Sequence, residues 1–195
     1  ASAKAIQAYR QINQNPQGQV TIALNLTPAY PASQSEEDLA AAHFANLFVN
    51  RLFLDASVKG HFPEELVDIL AKDGVLWEST PEELAIIRDN RVDYIGVNYY
   101  HPHRVKAPEI SPNSLTVDWM PQRYFNDYQM PGRRMNVDKG WEIYPQALYD
   151  IAKNLQDNYD NIPWFVSENG IGVSREERYL DQTGIIQDQY RIQFF

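Results

Sequence analysis

Pro163-Trp164-Phe165-Val166-Ser167-Glu168-Asn169-Gly170-Ile171-Gly172 is a short apolar run that ends on one carboxylate and then on glycines that permit a tight turn. Its length and its closing turn residues mark a strand over 163–168, with Glu168 at the C-terminal tip. Two stretches upstream have the same form. Val20-Thr21-Ile22-Ala23-Leu24-Asn25-Leu26 is closed by Thr27-Pro28, and Val92 to Tyr100 is a second apolar run, so strands are expected over 20–26 and 92–100. All of them end on polar residues, Asn25, Asn98 with Tyr100, and Glu168.

Helical patterns separate these strands. Ser35 is an N-cap with Asp38 three residues on, and Phe44, Leu47, Phe48 and Leu52 share one face of the helix that follows. Pro63-Glu64-Glu65 opens a shorter helix ending near Gly74, and Thr80-Pro81-Glu82-Glu83 opens another in which Leu84 and Ile87 are expected to face inward. Leu148, Ile151, Ala152 and Leu155 make an apolar stripe on a helix over 145–158. Residues 101–140 carry repeated Pro, Arg, Asn and Tyr without periodicity and read as one long loop, with Trp119, Phe125 and Met130 arguing that it packs.

Strands alternating with helices imply parallel βαβ units, and polar residues at the strand ends suit a (β/α)8 barrel, whose active sites gather at that end. Three strands cannot close such a barrel. The expectation is therefore an α/β fold, a partial (β/α)8 TIM barrel forming one incomplete segment over 1–195, with the chain stopping inside an incipient helix from Asp188 to Phe195.

Composition narrows the function classes. With 44% hydrophobic and 22% charged residues the chain has the profile of an ordinary globular domain. Its 17 basic residues against 26 acidic ones give a charge of −9 without a basic run, which argues against a nucleic-acid or anionic-membrane partner. There is no cysteine, so disulfides, thiolate metal sites and cysteine nucleophiles are excluded. The histidines are His43, His61, His101 and His103, and the last two flank Pro102 without a nearby carboxylate in sequence, so no metal is expected. No apolar stretch approaches the ~20 residues of a membrane span, and the first twenty residues do not resemble a signal peptide. Aromatic residues reach 12%, with 12 tyrosines and 4 tryptophans, and either fill a core or offer flat faces on which sugar rings stack.

Glu168-Asn169-Gly170 at a strand end resembles the nucleophile signature of glycoside hydrolase family 1, where such a triplet follows the seventh barrel strand. Alone, the triplet is also consistent with a surface glutamate before a turn. Asp93-Tyr94-Ile95-Gly96-Val97-Asn98-Tyr99-Tyr100 is similar to the family's sixth strand, and strand alternation puts Asn98 and Tyr100 on one face with Tyr99 on the other. The resemblance implies that Glu168 attacks the anomeric carbon, that the Tyr100 hydroxyl hydrogen-bonds it, and that Asn98 faces the substrate. Such a hydrogen bond stabilises the ionised carboxylate. A core tyrosine with a satisfied hydroxyl is the alternative for Tyr100. Gly140-Trp141-Glu142-Ile143-Tyr144-Pro145 resembles the segment whose tryptophan flanks the aglycone side, so Trp141 is either a sugar platform or an apolar anchor for the next helix.

Leu24-Asn25-Leu26-Thr27-Pro28-Ala29-Tyr30-Pro31, Asp55 to Leu66, Arg104 to Glu109, and Pro131 to Asn136 resemble the 6-phospho-β-glucosidase and 6-phospho-β-galactosidase branch, so that the likeness spans about the fifth to seventh strands and all 195 residues. It implies a phosphorylated β-glycoside substrate, no cofactor, and a cytoplasmic place in carbohydrate catabolism. Arg133, Arg134 and Lys106 are left out of any phosphate site, because the branch's phosphate loop follows the eighth strand.

A retaining glycosidase needs two carboxyl groups ~5–5.5 Å apart. In the family the second lies in an Asn-Glu-Pro tripeptide after the fourth strand, and that tripeptide does not occur here. The expectation is a piece of a retaining enzyme that is inactive alone. Two other readings remain open: a noncatalytic sugar- or partner-binding module, and a family 1 enzyme for unphosphorylated β-glucosides. An open half-barrel would also leave sheet edges that favour a homodimer or other association.

Overall fold

The computed structural model describes residues 1–15, 17–109 and 119–194; residues 110–118 of the expected long loop and Phe195 of the expected last helix lie outside the described residues. Three parallel strands form the central sheet, β1 (Thr21–Asn25), β3 (Tyr94–Asn98) and β8 (Trp164–Glu168), in the order β1-β3-β8. Each lies inside its expected segment. Residues level across the sheet are Asn25, Asn98 and Glu168, so the polar tips that the sequence singled out share one end.

The register contains one irregularity. Val97 lies opposite Val166 while Asn98 lies opposite Glu168, leaving Ser167 as an extra residue on β8. A bulge of this kind turns the strand and re-aims the residue beyond it. Here that residue is Glu168. Gly96 meets the bulge from the neighbouring strand, where a Cβ would stand 3.0 Å from Ser167 Oγ, so any larger residue would crowd the hydroxyl.

Helices cover one face of the sheet. Ile6 of α1 (Ser2–Ile12), Leu54 of α3 (Leu52–Val58) and Ala147, Ile151 and Leu155 of α6 (Gln146–Asn158) pack with Ile95, Val97 and Tyr99 into the main core. The first connection is one nearly continuous helical run, α2 (Glu36–Asn46), a π turn over Leu47–Arg51, then α3. Ser35 caps it as expected, its hydroxyl accepting from the Asp38 N–H. The Asn46 and Asn50 side chains pair with the chain after β1: Asn50 exchanges hydrogen bonds with both backbone groups of Thr27 and Asn46 with both of Ala29, at 2.8–3.2 Å. Backbone that would otherwise be unpaired beside the core is thereby satisfied.

Two further helices follow, α4 (Glu64–Lys72) and α5 (Pro81–Asp89), the latter opened by a capping box between Thr80 and Glu83. On α5 the expected inward face is corrected. Leu84 is 44% exposed and the helix buries none of its residues. Helical periodicity identifies residues that share a face, whereas burial depends on what lies opposite that face.

The long loop expected over 101–140 is also corrected in its described parts. β2 (Ala29–Pro31), β4 (His103–Lys106) and β5 (Asn126–Asp127) form a second sheet, packed on α2 and α4 through Phe44, Leu66, Leu70, Val105 and Phe125. β6 (Met135–Asn136) and β7 (Trp141–Glu142) form a hairpin whose turn uses Gly140 at φ 70°, a conformation that favours glycine. The chain ends with a short α7 (Gln189–Ile192) inside the expected final helix.

Candidate active site

The site is built on the C-terminal ends of β3 and β8. Because the bulge at Ser167 brings Glu168 level with Asn98, the strand that continues through Tyr99 to Tyr100 runs beside the carboxylate. The Tyr100 hydroxyl donates a hydrogen bond to Glu168 Oε2. That carboxylate, together with some burial, pushes the Tyr100 pKa up, so the phenol remains a proton donor through the neutral range. Tyr100 is partly buried, while its neighbour Tyr99 is sunk in the core at 2% exposure.

Asn98 takes a different partner. Its Oδ1 accepts from Ser167 Oγ at 2.6 Å, which ties the bulge to the neighbouring strand tip. Beyond the strand, Asn169 Nδ2 donates to Tyr99 O at 2.6 Å and Asn136 Nδ2 to Gly172 O at 3.0 Å, so the turn after Glu168 is held from two sides. Asp138 adds a third hold through Ser174 Oγ at 2.8 Å and Arg178 at 2.7 Å; its carboxyl pKa is lowered, chiefly by the Ser174 hydroxyl.

Trp141 joins this group from the β6–β7 hairpin. Its ring centroid lies 5.2 Å from that of Tyr100, inclined at 44°, and 5.3 Å from His101. Lys139 Nζ lies 5.8 Å from the same ring. The four residues singled out in the sequence thus converge: Glu168, Tyr100 and Trp141 make a contiguous surface, and Asn98 lies beside it through Ser167. Sequence reasoning missed Ser167, His101 and Lys139. Lys139 and Trp141 are separated only by the turn glycine, a proximity that was legible, whereas the bulge that recruits Ser167 has no sequence signal.

Two clefts lie elsewhere, one of about 670 Å³ around Lys59, Trp77 and Arg88 and one of about 450 Å³ around Ile6, Phe53 and Trp77, and neither is lined by Glu168, Tyr100, Asn98 or Trp141. Their walls are largely apolar. The titratable pair at the strand tips, by contrast, offers an anionic oxygen with one donor already fixed on it. Among the described residues there is no group of three or more metal-ligating side chains.

A carboxylate at a parallel strand tip thus accepts a hydrogen bond from a tyrosine just beyond the adjacent strand. The profile described as glycosyl hydrolase family 1 matches residues 1–195. The chain belongs to this family. It is 55% identical over 194 residues to a 6-phospho-beta-glucosidase, GmuD, of Bacillus subtilis, an alignment covering 100% of this chain and 41% of that protein. Beta-glucosidase A of Acetivibrio thermocellus is 30% identical over 191 residues, covering 98% of this chain and 39% of that protein. Among solved structures, a family 1 β-glucosidase from Thermotoga maritima superposes with a TM-score of 0.78 at 26% identity, over 98% of this chain and 38% of that one. The chain therefore spans about 40% of the length of the relatives it matches. Its parallel strands and covering helices are part of a TIM barrel, as expected, without a closed barrel among the described residues.

Proposed function

We propose that this chain carries the nucleophile side of a retaining β-glycosidase that hydrolyses 6-phospho-β-glucosides. The observation that carries the reading is the Glu168–Tyr100 pair, set at the tips of adjacent parallel strands in a family 1 chain. In this mechanism one Glu168 oxygen attacks the anomeric carbon as the glycosidic C–O bond breaks, the leaving oxygen takes a proton from a second carboxyl group, and water then releases the sugar from Glu168. Tyr100 occupies Oε2, which orients the carboxylate and leaves the other oxygen to attack. Trp141, flanking Tyr100, provides the flat apolar face for the leaving group. Asn98 acts on the glycone side of the same cleft.

The proton donor is expected on an Asn-Glu-Pro segment, and these 195 residues contain none. The 195-residue chain by itself is accordingly read as inactive. A phosphorylated substrate also argues for work in the cytoplasm, where sugars phosphorylated during uptake accumulate. β1 and β8 are the outer strands of the central sheet, and they offer backbone for association with further chain or a second copy.

The 30% identity to a β-glucosidase supports a second reading, an enzyme for unphosphorylated glucosides. Measuring the whole enzyme's kcat/KM on 4-nitrophenyl 6-phospho-β-glucoside and on its unphosphorylated counterpart separates the two. Preference for the phosphorylated ester by more than about 10²-fold is expected, because a site with charged partners for phosphate leaves them unpaired when it is absent; equal rates or the opposite preference would favour the second reading.

Tyr100→Phe tests the pairing. A hydrogen bond to a charged group contributes about 1.5–3 kcal/mol, so kcat/KM should fall roughly 10- to 150-fold while thermal unfolding changes little. An unchanged rate would remove Tyr100 from the mechanism.

A further inference from the structure

Trp141 and Glu142 are successive residues of one strand and project to opposite sides. Trp141 goes to Tyr100, and Glu142 goes inward to 5% exposure. There it meets Arg104 of β4 in a two-point fork, Nη2 to Oε1 at 2.7 Å and Nε to Oε2 at 3.1 Å, with the two side chains 10% and 4% exposed. The guanidinium lies against two rings, 4.9 Å from the Tyr30 centroid and 4.5 Å from that of Tyr144, and those rings meet edge to face at 5.3 Å.

Each wall of this enclosure belongs to a different element. Tyr30 sits directly opposite Arg104 in the β2–β4 ladder and donates to Asp150 of α6 at 2.5 Å. Tyr144 receives the Tyr99 hydroxyl on its carbonyl at 2.6 Å, which connects the enclosure to the strand leading into Tyr100. An ion pair this buried adds little net stability, because desolvating both charges offsets their attraction. What it supplies is orientation, since a planar fork with both nitrogens committed to one carboxylate and two rings against it has one geometry.

We propose that Arg104 is a positioning residue which, through Glu142, fixes the Met135–Glu142 hairpin so that Trp141 stands against Tyr100 and holds the aglycone face of the site in place. This rests on the glycosidase reading above. Lysine keeps the charge but not the two-point fork, so Arg104→Lys is the informative change.

The test is a double-mutant cycle in the whole enzyme, comparing Arg104→Lys alone with Arg104→Lys in the Trp141→Ala background, read as kcat/KM on a 6-phospho disaccharide. A loss of about tenfold alone, carried mainly by KM, and less than about twofold in the Trp141→Ala background is expected, because coupled residues are not additive. Equal losses in both backgrounds would overturn the proposal, since a general packing role gives additive effects. If Arg104→Lys fails to fold, Glu142→Gln replaces it in the same cycle. A second readout needs no turnover: in protein labelled with 15N-tryptophan, the Trp141 indole resonance, identified by its loss in Trp141→Ala, should shift in Arg104→Lys, and an unmoved resonance would refute the coupling. A wild-type enzyme that hydrolyses no β-glycoside would instead remove the functional reading and leave the resonance to decide the role of Arg104.

Discussion

The Glu168→Gln variant of the whole enzyme loses turnover by on the order of 10⁴- to 10⁶-fold, the scale seen when the attacking group of a covalent mechanism is removed. The amide is nearly isosteric with the carboxylate and still accepts from the Tyr100 hydroxyl, so the strand tip and its bulge are retained. What disappears is the anionic oxygen. Because Glu168 is exposed and the turn after it is pinned by Asn136, Asp138 and Asn169, thermal unfolding should change little. Steady-state kinetics on an activated aryl 6-phospho-β-glucoside reads the effect, and a variant retaining a tenth of wild-type activity would contradict the assignment.

A large stability effect from a single polar side chain is expected at Asp55. Its side chain is 1% exposed and is met by Arg51 at 3.0 Å, by Lys59 at 3.9 Å and by the Tyr159 hydroxyl, which donates to it at the end of α6. Burial first, then the Asp55 carboxylate, push the Tyr159 pKa up, so this hydroxyl stays a donor across the physiological range. Arg51 and Lys59 are 38% and 32% exposed and rehydrate readily, so the ion pairs themselves add little. Tyr159 cannot rehydrate at 3% exposure. Asp55→Ala should therefore cost about 2–4 kcal/mol, from a lost hydrogen bond to a charged group and a stranded hydroxyl, and Asp55→Asn about half that because an acceptor remains. Chemical denaturation of the whole protein measures both, and a cost below about 0.5 kcal/mol for Asp55→Ala would show that the site relaxes.

How far the sequence revealed this architecture depends on the length of each element. β1, β3 and β8 were legible because each is a run of mostly apolar residues closed by a polar tip, although Phe165 and Val166 of β8 are exposed, and the Ser35–Asp38 cap was legible because its chemistry is local. β5, β6 and β7 have two residues each, too few to show any alternation, and they merged into an apparent loop. α1 was missed because its apolar residues besides Ile6, Tyr9 and Ile12 are alanines, which make a weak stripe, and Ile6 alone of its residues is buried. The site was legible at Glu168, Tyr100, Asn98 and Trp141, which sit at strand ends or in quotable motifs. Ser167 and the Arg104–Glu142 fork were not, because a bulge and a pairing 38 residues apart are set by tertiary packing.

Covalent trapping addresses the attacking group directly. A 2-fluoro-2-deoxy-β-glucoside with a good leaving group slows release of the sugar from the enzyme more than its attachment, so the intermediate accumulates and a peptide mass map locates it. The account predicts one fluoro-sugar per active enzyme, bound to the peptide containing Glu168 and absent from Glu168→Gln; label on any other carboxylate, or an active enzyme that takes up none, would contradict it.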